Sequence, residues 1–162
     1  MERLCEAVNR ATERALFVVL SLMTVSLLCE VVFRYIAHLP LFWTEEAARY
    51  ALVWASMLGA AVAVRRGGHI AVTFAVSQLS GRGREIAALL AEALVLGFSL
   101  TLLVGGVLLL GLSARQVSPA MRLPMTIPHA AVPVGAALMS LQAAGAMLGR
   151  LRGLRSGGGG VP

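Results

Sequence analysis

Four charged side chains close to one proline are the residues best placed to do chemistry in this sequence. Glu30 and Arg34 precede Pro40, and Glu46 and Arg49 follow it. If two antiparallel helices turn at this proline, facing residues have numbers that sum to about 80. Arg34 then lies beside Glu46. The same register brings Glu30 beside Arg49. We predict a four-member charge network in which every charge has a partner, so that the cost of burying it falls.

Local pairing within each helix is predicted as well. Glu30 with Arg34, and Glu45 with Arg49, are spaced four residues apart with the glutamate first, which is the favourable order on a helix. Because acids and arginines balance, a structural link is favoured over transport chemistry, in which an acid is normally left unpaired as protons or ions come and go.

Glu92 is the acid without an obvious partner. It lies about two turns inside a long apolar segment. It is therefore a candidate titrating group, and the alternatives are that it reaches the nearby membrane surface or meets an arginine of another subunit.

Other reactive sets are missing from the sequence. The three histidines, His38, His69 and His129, fall on or beside connecting segments, where no two match in depth as membrane haem ligands would. There is no Cys/His metal spacing, nucleotide-binding glycine loop or Ser-His-Asp arrangement. We expect no metal, no cofactor and no enzymatic activity.

The elements that must position these charges are membrane-spanning helices. Of 162 residues, 58% are hydrophobic and 14% charged, and the mean hydropathy is +0.81. Polar residues are thus too few to cover a soluble domain. Two cysteines do not make a disulfide scaffold. The net charge of +6 comes from arginines scattered between apolar segments, which argues against nucleic-acid binding.

Four apolar segments are long enough to cross a bilayer as helices, at residues 15–36, 47–64, 86–112 and 129–149. We predict an all-α membrane protein with one domain over residues 1–155 and a disordered glycine-rich tail at 156–162. Of the 14 arginines, those before the first span, between the second and third, and after the fourth outnumber the rest. The positive-inside rule therefore predicts that both termini are cytoplasmic.

Two further segments are predicted to lie in the membrane surface. Residues 1–14 have the pattern of an amphipathic interfacial helix. Residues 69–79 fit a short helix along the surface or a strand, and an unpaired strand cannot sit in lipid, which favours the helix.

Small residues recur every four positions in two of the spans. One row is Ala47, Ala51, Ala55, Gly59 and Ala63, and the other is Ala93, Gly97, Thr101 and Gly105. Such rows allow close helix approach in lipid, although an alanine-rich composition produces some of them by chance. Together they predict either a packed bundle or a partner surface.

Several motifs resemble those of one transporter family. The first group is Arg34-Tyr35, Pro40, Trp43, the run at 45–50, Trp54, and the runs at 58–61, 65–67 and 69–70; the second is the runs at 118–121, 123–125 and 133–135. They resemble the small membrane subunit, DctQ-type, of tripartite ATP-independent periplasmic (TRAP) transporters. The chain departs from that pattern at Thr73, Thr126, Ile127 and His129.

The resemblance implies a scaffold in the cell inner membrane. A periplasmic binding protein of the DctP type would deliver an organic acid to a large permease subunit of the DctM type, which would import it with sodium. The substrate and sodium sites would then belong to the large subunit. Lipids are the other expected partners. Residues that we expect at the subunit interface are Trp43, Glu45, Tyr50, Trp54, Gly59, Glu92 and Gly97.

The alternative is a self-sufficient four-helix exporter that uses a membrane glutamate, Glu30 or Glu92, as its proton site. Such exporters are usually shorter and place an unpaired glutamate in the middle of the first span, whereas Glu30 has arginines within reach.

Overall fold

The computed structural model describes residues 2–39, 41–66 and 82–156, and nearly all of these are helical. The helices are α1 Glu2–Tyr35, α2 Phe42–Arg65, α3 Arg82–Ser113, the short α4 Thr126–His129, and α5 Ala131–Ser156. The four long helices are long and apolar enough to span a membrane. Within the described ranges the extended backbone is limited to one isolated bridge, Val117 with Pro124. The all-α, four-span prediction is confirmed.

The turn between α1 and α2 has an identifiable stop signal. His38 adopts a left-handed backbone with φ 57°, a conformation that interrupts a right-handed helix. The backbone N–H of Leu39 donates to the Phe33 carbonyl at 3.0 Å. The Thr44 hydroxyl donates to the Leu41 carbonyl at 2.8 Å as α2 begins. The chain therefore reverses within a few residues, and α1 packs antiparallel to α2.

The long helices form an open row instead of a closed bundle. α1 packs on α2, α2 packs on α5, and α5 packs on α3, with only slight contact between α1 and α5. Within the described residues α1 and α3 share no packed interface. We call the end of the row that holds the α1–α2 turn and the α3–α4 connection the hairpin end, and the opposite end, where α1 begins and α5 finishes, the terminal end.

The core lies where α5 meets its two neighbours. Ala61, Ala136 and Met139 form the buried centre. A Cβ added at Gly135 would lie 2.6 Å from the Met57 Cβ, and one at Gly106 would lie 2.8 Å from the Pro133 backbone nitrogen. These two glycines set the closest approaches, because a side chain at either position would push two helices apart.

The two rows of small residues have different surroundings. In the α2 row, Ala55 is buried, and a Cβ on Gly59 would meet the side chain of Leu16 at 4.0 Å. In the α3 row, Ala93, Gly97, Thr101 and Gly105 are all exposed. The first row therefore supports packing within the chain, whereas the second faces outward.

The N-terminal segment is continuous with the first span. Residues 2–14 form the first turns of α1, and Cys5 and Thr12 are buried there. The Gln142 side-chain amide of α5 donates to the Cys5 carbonyl at 3.2 Å. The predicted surface helix at 69–79 and the tail from 157 onward lie outside the described residues.

Candidate functional site

Among the described residues, a glutamate at the hairpin end joins three others through its carboxylate. Glu46 is 8% exposed. Its Oε2 accepts hydrogen bonds from the backbone N–H groups of Ala120 at 3.0 Å and Met121 at 2.8 Å. The Tyr50 hydroxyl donates to its Oε1. One carboxylate therefore joins α2 to the connection between α3 and α4, and we call this arrangement the Glu46 clasp.

The connection is folded to present two successive amides to that carboxylate. The Met125 N–H donates to the Gln116 carbonyl at 3.0 Å, and the Ser118 N–H donates to the Leu123 carbonyl at 2.9 Å. Arg122 closes the turn with a left-handed φ of 53°. Because the ends of this short loop are pinned together, the two N–H groups between them point at one spot, as they do in anion-binding turns.

Neutral dipoles, not a cation, surround the Glu46 carboxylate. Across the described side chains, none of the ion pairs involves Glu46. Hydrogen bonds from N–H and O–H groups to an ionised oxygen are stronger than those between neutral groups and offset some of the loss of water. The clasp is thus a directional contact that depends on where the loop amides lie.

The cross-helix charge network expected from the sequence is corrected by the structure. Arg34 pairs with Glu30 at 2.8 Å, and Arg49 pairs with Glu45 at 3.0 Å, so the pairing within each helix is confirmed. The pairs Arg34–Glu46 and Glu30–Arg49 are absent from the ion pairs of the described residues.

The cross-helix pairs do not form because of the face of α2 on which Glu46 lies. Residues 46 and 57 are eleven positions apart, which places them on one side of a helix, and Met57 packs against Gly135 of α5. Gly59, which faces Leu16 of α1, lies on a different side. Glu46 therefore points away from Arg34, while each arginine reaches its own helical neighbour at little cost.

The terminal end contains two long-range ion pairs that sequence reasoning missed. Arg66 of α2 donates to the Glu13 carboxylate of α1 at 2.8 and 3.1 Å, and Asn9 donates to the same oxygen at 2.7 Å. Arg150 of α5 binds Glu92 of α3, which supplies the partner that the sequence did not reveal. The residues of the first pair are 53 positions apart in the chain and those of the second pair are 58 apart. Only the antiparallel register of the helices could have indicated these pairs from the sequence.

Glu92 uses one of its two oxygens in this pair. Its Oε1 accepts from Arg150, while its Oε2 is buried without a hydrogen-bond partner among the described atoms. A half-satisfied carboxylate at the contact of α3 and α5 is compatible with an added donor from outside the chain.

The remaining candidate interface residues fall into two groups. Trp43, Glu45 and Gly97 are exposed and open to a partner. Tyr50, Trp54 and Gly59 are half-buried inside the row, and Tyr50 belongs to the clasp.

His129 also has a place at the hairpin end. Its Nδ1 lies 2.6 Å from the Ser113 hydroxyl, which itself donates to the Leu109 carbonyl at 2.7 Å. This contact links α4 to α3. Within the described residues no cluster of three or more His, Cys, Asp or Glu side chains could hold a metal ion.

Four long apolar helices tied by side-chain contacts within one chain define an integral membrane protein. The chain matches the family described as tripartite ATP-independent periplasmic transporters, DctQ component, over residues 23–153. It belongs to this family and is a small TRAP permease subunit, a multi-pass protein of the inner membrane.

Three relatives illustrate the similarity. A TRAP transporter small permease protein of Haemophilus influenzae is 27% identical, with 86% of this chain and 87% of that protein covered. The C4-dicarboxylate TRAP transporter small permease protein DctQ of Rhodobacter capsulatus is 34% identical, with 61% of this chain and 44% of that protein covered. The isethionate TRAP transporter permease protein DctMQ of Oleidesulfovibrio alaskensis is 31% identical over 68% of this chain, which spans only 18% of that longer protein.

Proposed function

We propose that this subunit is a static scaffold for a large permease subunit. In this proposal the DctM-type permease imports an organic acid with sodium, a DctP-type periplasmic protein delivers the acid, and the scaffold itself neither catalyses a reaction nor binds cargo.

One observation carries the proposal: the acids that are shielded from solvent are already bound within the chain. Four described glutamates are buried or half-buried, namely Glu13, Glu30, Glu46 and Glu92. Three of them are held by arginines, and Glu46 is held by amides and a phenol. A coupling or cargo site needs a charge that is free to bind an ion or a substrate, and each of these four described carboxylates already has a partner within the chain.

The relatives support a larger partner. The isethionate permease protein DctMQ is more than five times as long as the segment it shares with this chain, since that segment is 18% of it. This is consistent with a small subunit that works beside a permease several times its size.

The arginine distribution supports cytoplasmic termini. The hairpin end, with the Glu46 clasp and the exposed Arg122 turn, would then face the periplasm. There the clasp would hold the loop in one shape for the large subunit and the binding protein to meet.

Reconstitution tests the proposal. Liposomes that contain this chain and a DctM-type large permease from the same organism, supplied with a DctP-type binding protein and a sodium gradient, should take up one acid from a panel that includes C4-dicarboxylates and isethionate. Omission of this chain should abolish uptake, and the chain alone should transport nothing. Uptake by the chain alone would favour the exporter, and undiminished uptake without it would remove the scaffold role.

A further inference from the structure

A shallow cavity of about 400 Å³ lies along α1 near the terminal end. It is lined by Arg10, Glu13, Arg14, Phe17 and Val18. These positions recur at spacings of three and four residues, so they share one face of the helix. The charged portion of the cavity lies towards the terminus, and the apolar portion lies a turn further along the span.

The apolar portion is open to the surroundings. Phe17 is 73% exposed and Val18 is 54% exposed, although both lie in the apolar segment of α1. In a membrane such side chains contact acyl chains.

The charged portion of the cavity has a net positive charge. The Glu13 carboxylate is engaged by Arg66 of α2 and by Asn9, so the charge of the one acid among the described lining residues is neutralised from the neighbouring helix. Among the described side chains, neither Arg10 nor Arg14 lies within ion-pair distance of a carboxylate. Two guanidinium groups, a turn apart and exposed, therefore remain available to an anion.

The length of α1 places these arginines at the membrane boundary. The helix has 34 residues and is about 51 Å long, against a hydrocarbon core of about 30 Å. The predominantly apolar stretch without charged residues begins at Ala15, directly after Arg14. The excess length must project at the terminal end, which sets Arg10 and Arg14 at headgroup depth and Phe17 and Val18 at the start of the acyl region.

We propose that this cavity binds an anionic phospholipid, whose phosphate is held by Arg10 and Arg14 while an acyl chain lies along Phe17 and Val18. Guanidinium groups suit phosphate because their planar N–H groups match its oxygens two at a time. The proposal goes beyond the scaffold role and does not depend on it, because every residue of the site belongs to this chain.

Native mass spectrometry of the full chain in detergent, titrated with phosphatidylglycerol or phosphatidylcholine, tests the site. The chain should retain phosphatidylglycerol preferentially. The double variant R10Q/R14Q should bind it about 20- to 30-fold more weakly, as expected for two arginines near an anionic headgroup. R10K/R14K, which keeps the charge but not the planar N–H geometry, should bind it with an affinity between those of the unmodified chain and R10Q/R14Q.

Two controls make the test specific. The double variant R49Q/R115Q removes the same charge from two exposed arginines at the hairpin end and should leave phosphatidylglycerol binding unchanged. F17A should weaken the binding of phosphatidylglycerol but not the binding of inorganic phosphate, since phosphate has no acyl chain. Equal loss in both arginine double variants, or none in R10Q/R14Q, would overturn the site. If R10Q/R14Q keeps its phosphatidylglycerol binding but no longer co-purifies with the large subunit, the proposal is wrong and the cavity is a contact surface for that subunit.

Discussion

The two ends of the helix row stabilise shielded carboxylates with different kinds of partner. At the hairpin end Glu46 is held by two backbone amides and a phenol. At the terminal end Glu13 and Glu92 are held by arginines from neighbouring helices. Amides are fixed by the backbone, so the clasp depends on loop shape. An arginine side chain is long and adaptable, so the terminal pairs tolerate small shifts between helices.

The difference indicates where this subunit is rigid. A loop pinned through its main chain cannot move without leaving polar groups unsatisfied, whereas an ion pair near the membrane surface can exchange for water and salt. We therefore expect the stability of the hairpin end to depend on the conformation of the loop between α3 and α4. The stability of the terminal end should depend on ionic strength.

Removal of the Glu46 side chain should have the largest effect. Glu46→Ala leaves the Ala120 and Met121 amides without their acceptor and leaves the Tyr50 hydroxyl with only the Met125 sulfur at 3.3 Å, and it should lower the melting temperature of the detergent-purified protein by about 10 °C. Tryptophan fluorescence during heating measures this.

Two variants sharpen that result. Glu45→Ala removes the exposed neighbour and should change the melting temperature little. Glu46→Gln keeps an oxygen that can accept from both amides, so it should recover more than half of the loss. If Glu46→Gln is as damaging as Glu46→Ala, charge matters more than shape at this end.

A smaller effect is expected from Tyr50→Phe. The ring stays in place, and only the hydroxyl bonded to Glu46 Oε1 is lost, which should lower the melting temperature by about 3 °C. The same substitution in the Glu46→Ala background should add little, because only the weak contact of the hydroxyl with the Met125 sulfur at 3.3 Å is left to lose. Additive losses in the double variant would show that Tyr50 acts elsewhere.

The smallest effect should come from the terminal end. A double-mutant cycle of Glu92→Gln and Arg150→Gln should give a coupling of about 0.5 kcal/mol, since half of the Arg150 side chain is exposed and water competes for it. The coupling should fall as salt is raised from low to high concentration. A large coupling that does not change with salt would mean that both ends are rigid in the same way.

The spans and local pairs follow from the sequence, while the clasp does not. Hydropathy locates the four helices because lipid requires a long apolar stretch at each crossing. The pairs Glu30–Arg34 and Glu45–Arg49 follow from helical spacing alone. The partners of Glu46 are main-chain amides 74 and 75 residues away, and a backbone amide carries no side-chain signature that a sequence pattern could show.

Helix order was the other missing piece. The expectation that Arg34 faces Glu46 assumed that every acid near the turn points towards the neighbouring helix of the hairpin. The structure turns that face of α2 towards α5, as the contact of Met57 with Gly135 shows. Which sides of two helices meet depends on packing with a third helix, and nearest-neighbour spacing does not contain that information.

The open order of the helices gives α5 a special position. Since α2 and α3 meet chiefly through it, any displacement that begins at the α1–α2 pair must cross α5 before it reaches α3. Gly135 and Gly106–Pro133 are the two junctions on that route, with almost no free space at either. A partner that binds at the α1–α2 edge of the subunit would thus affect the position of α3 only through α5. Looser packing at either junction would weaken the coupling between the two edges.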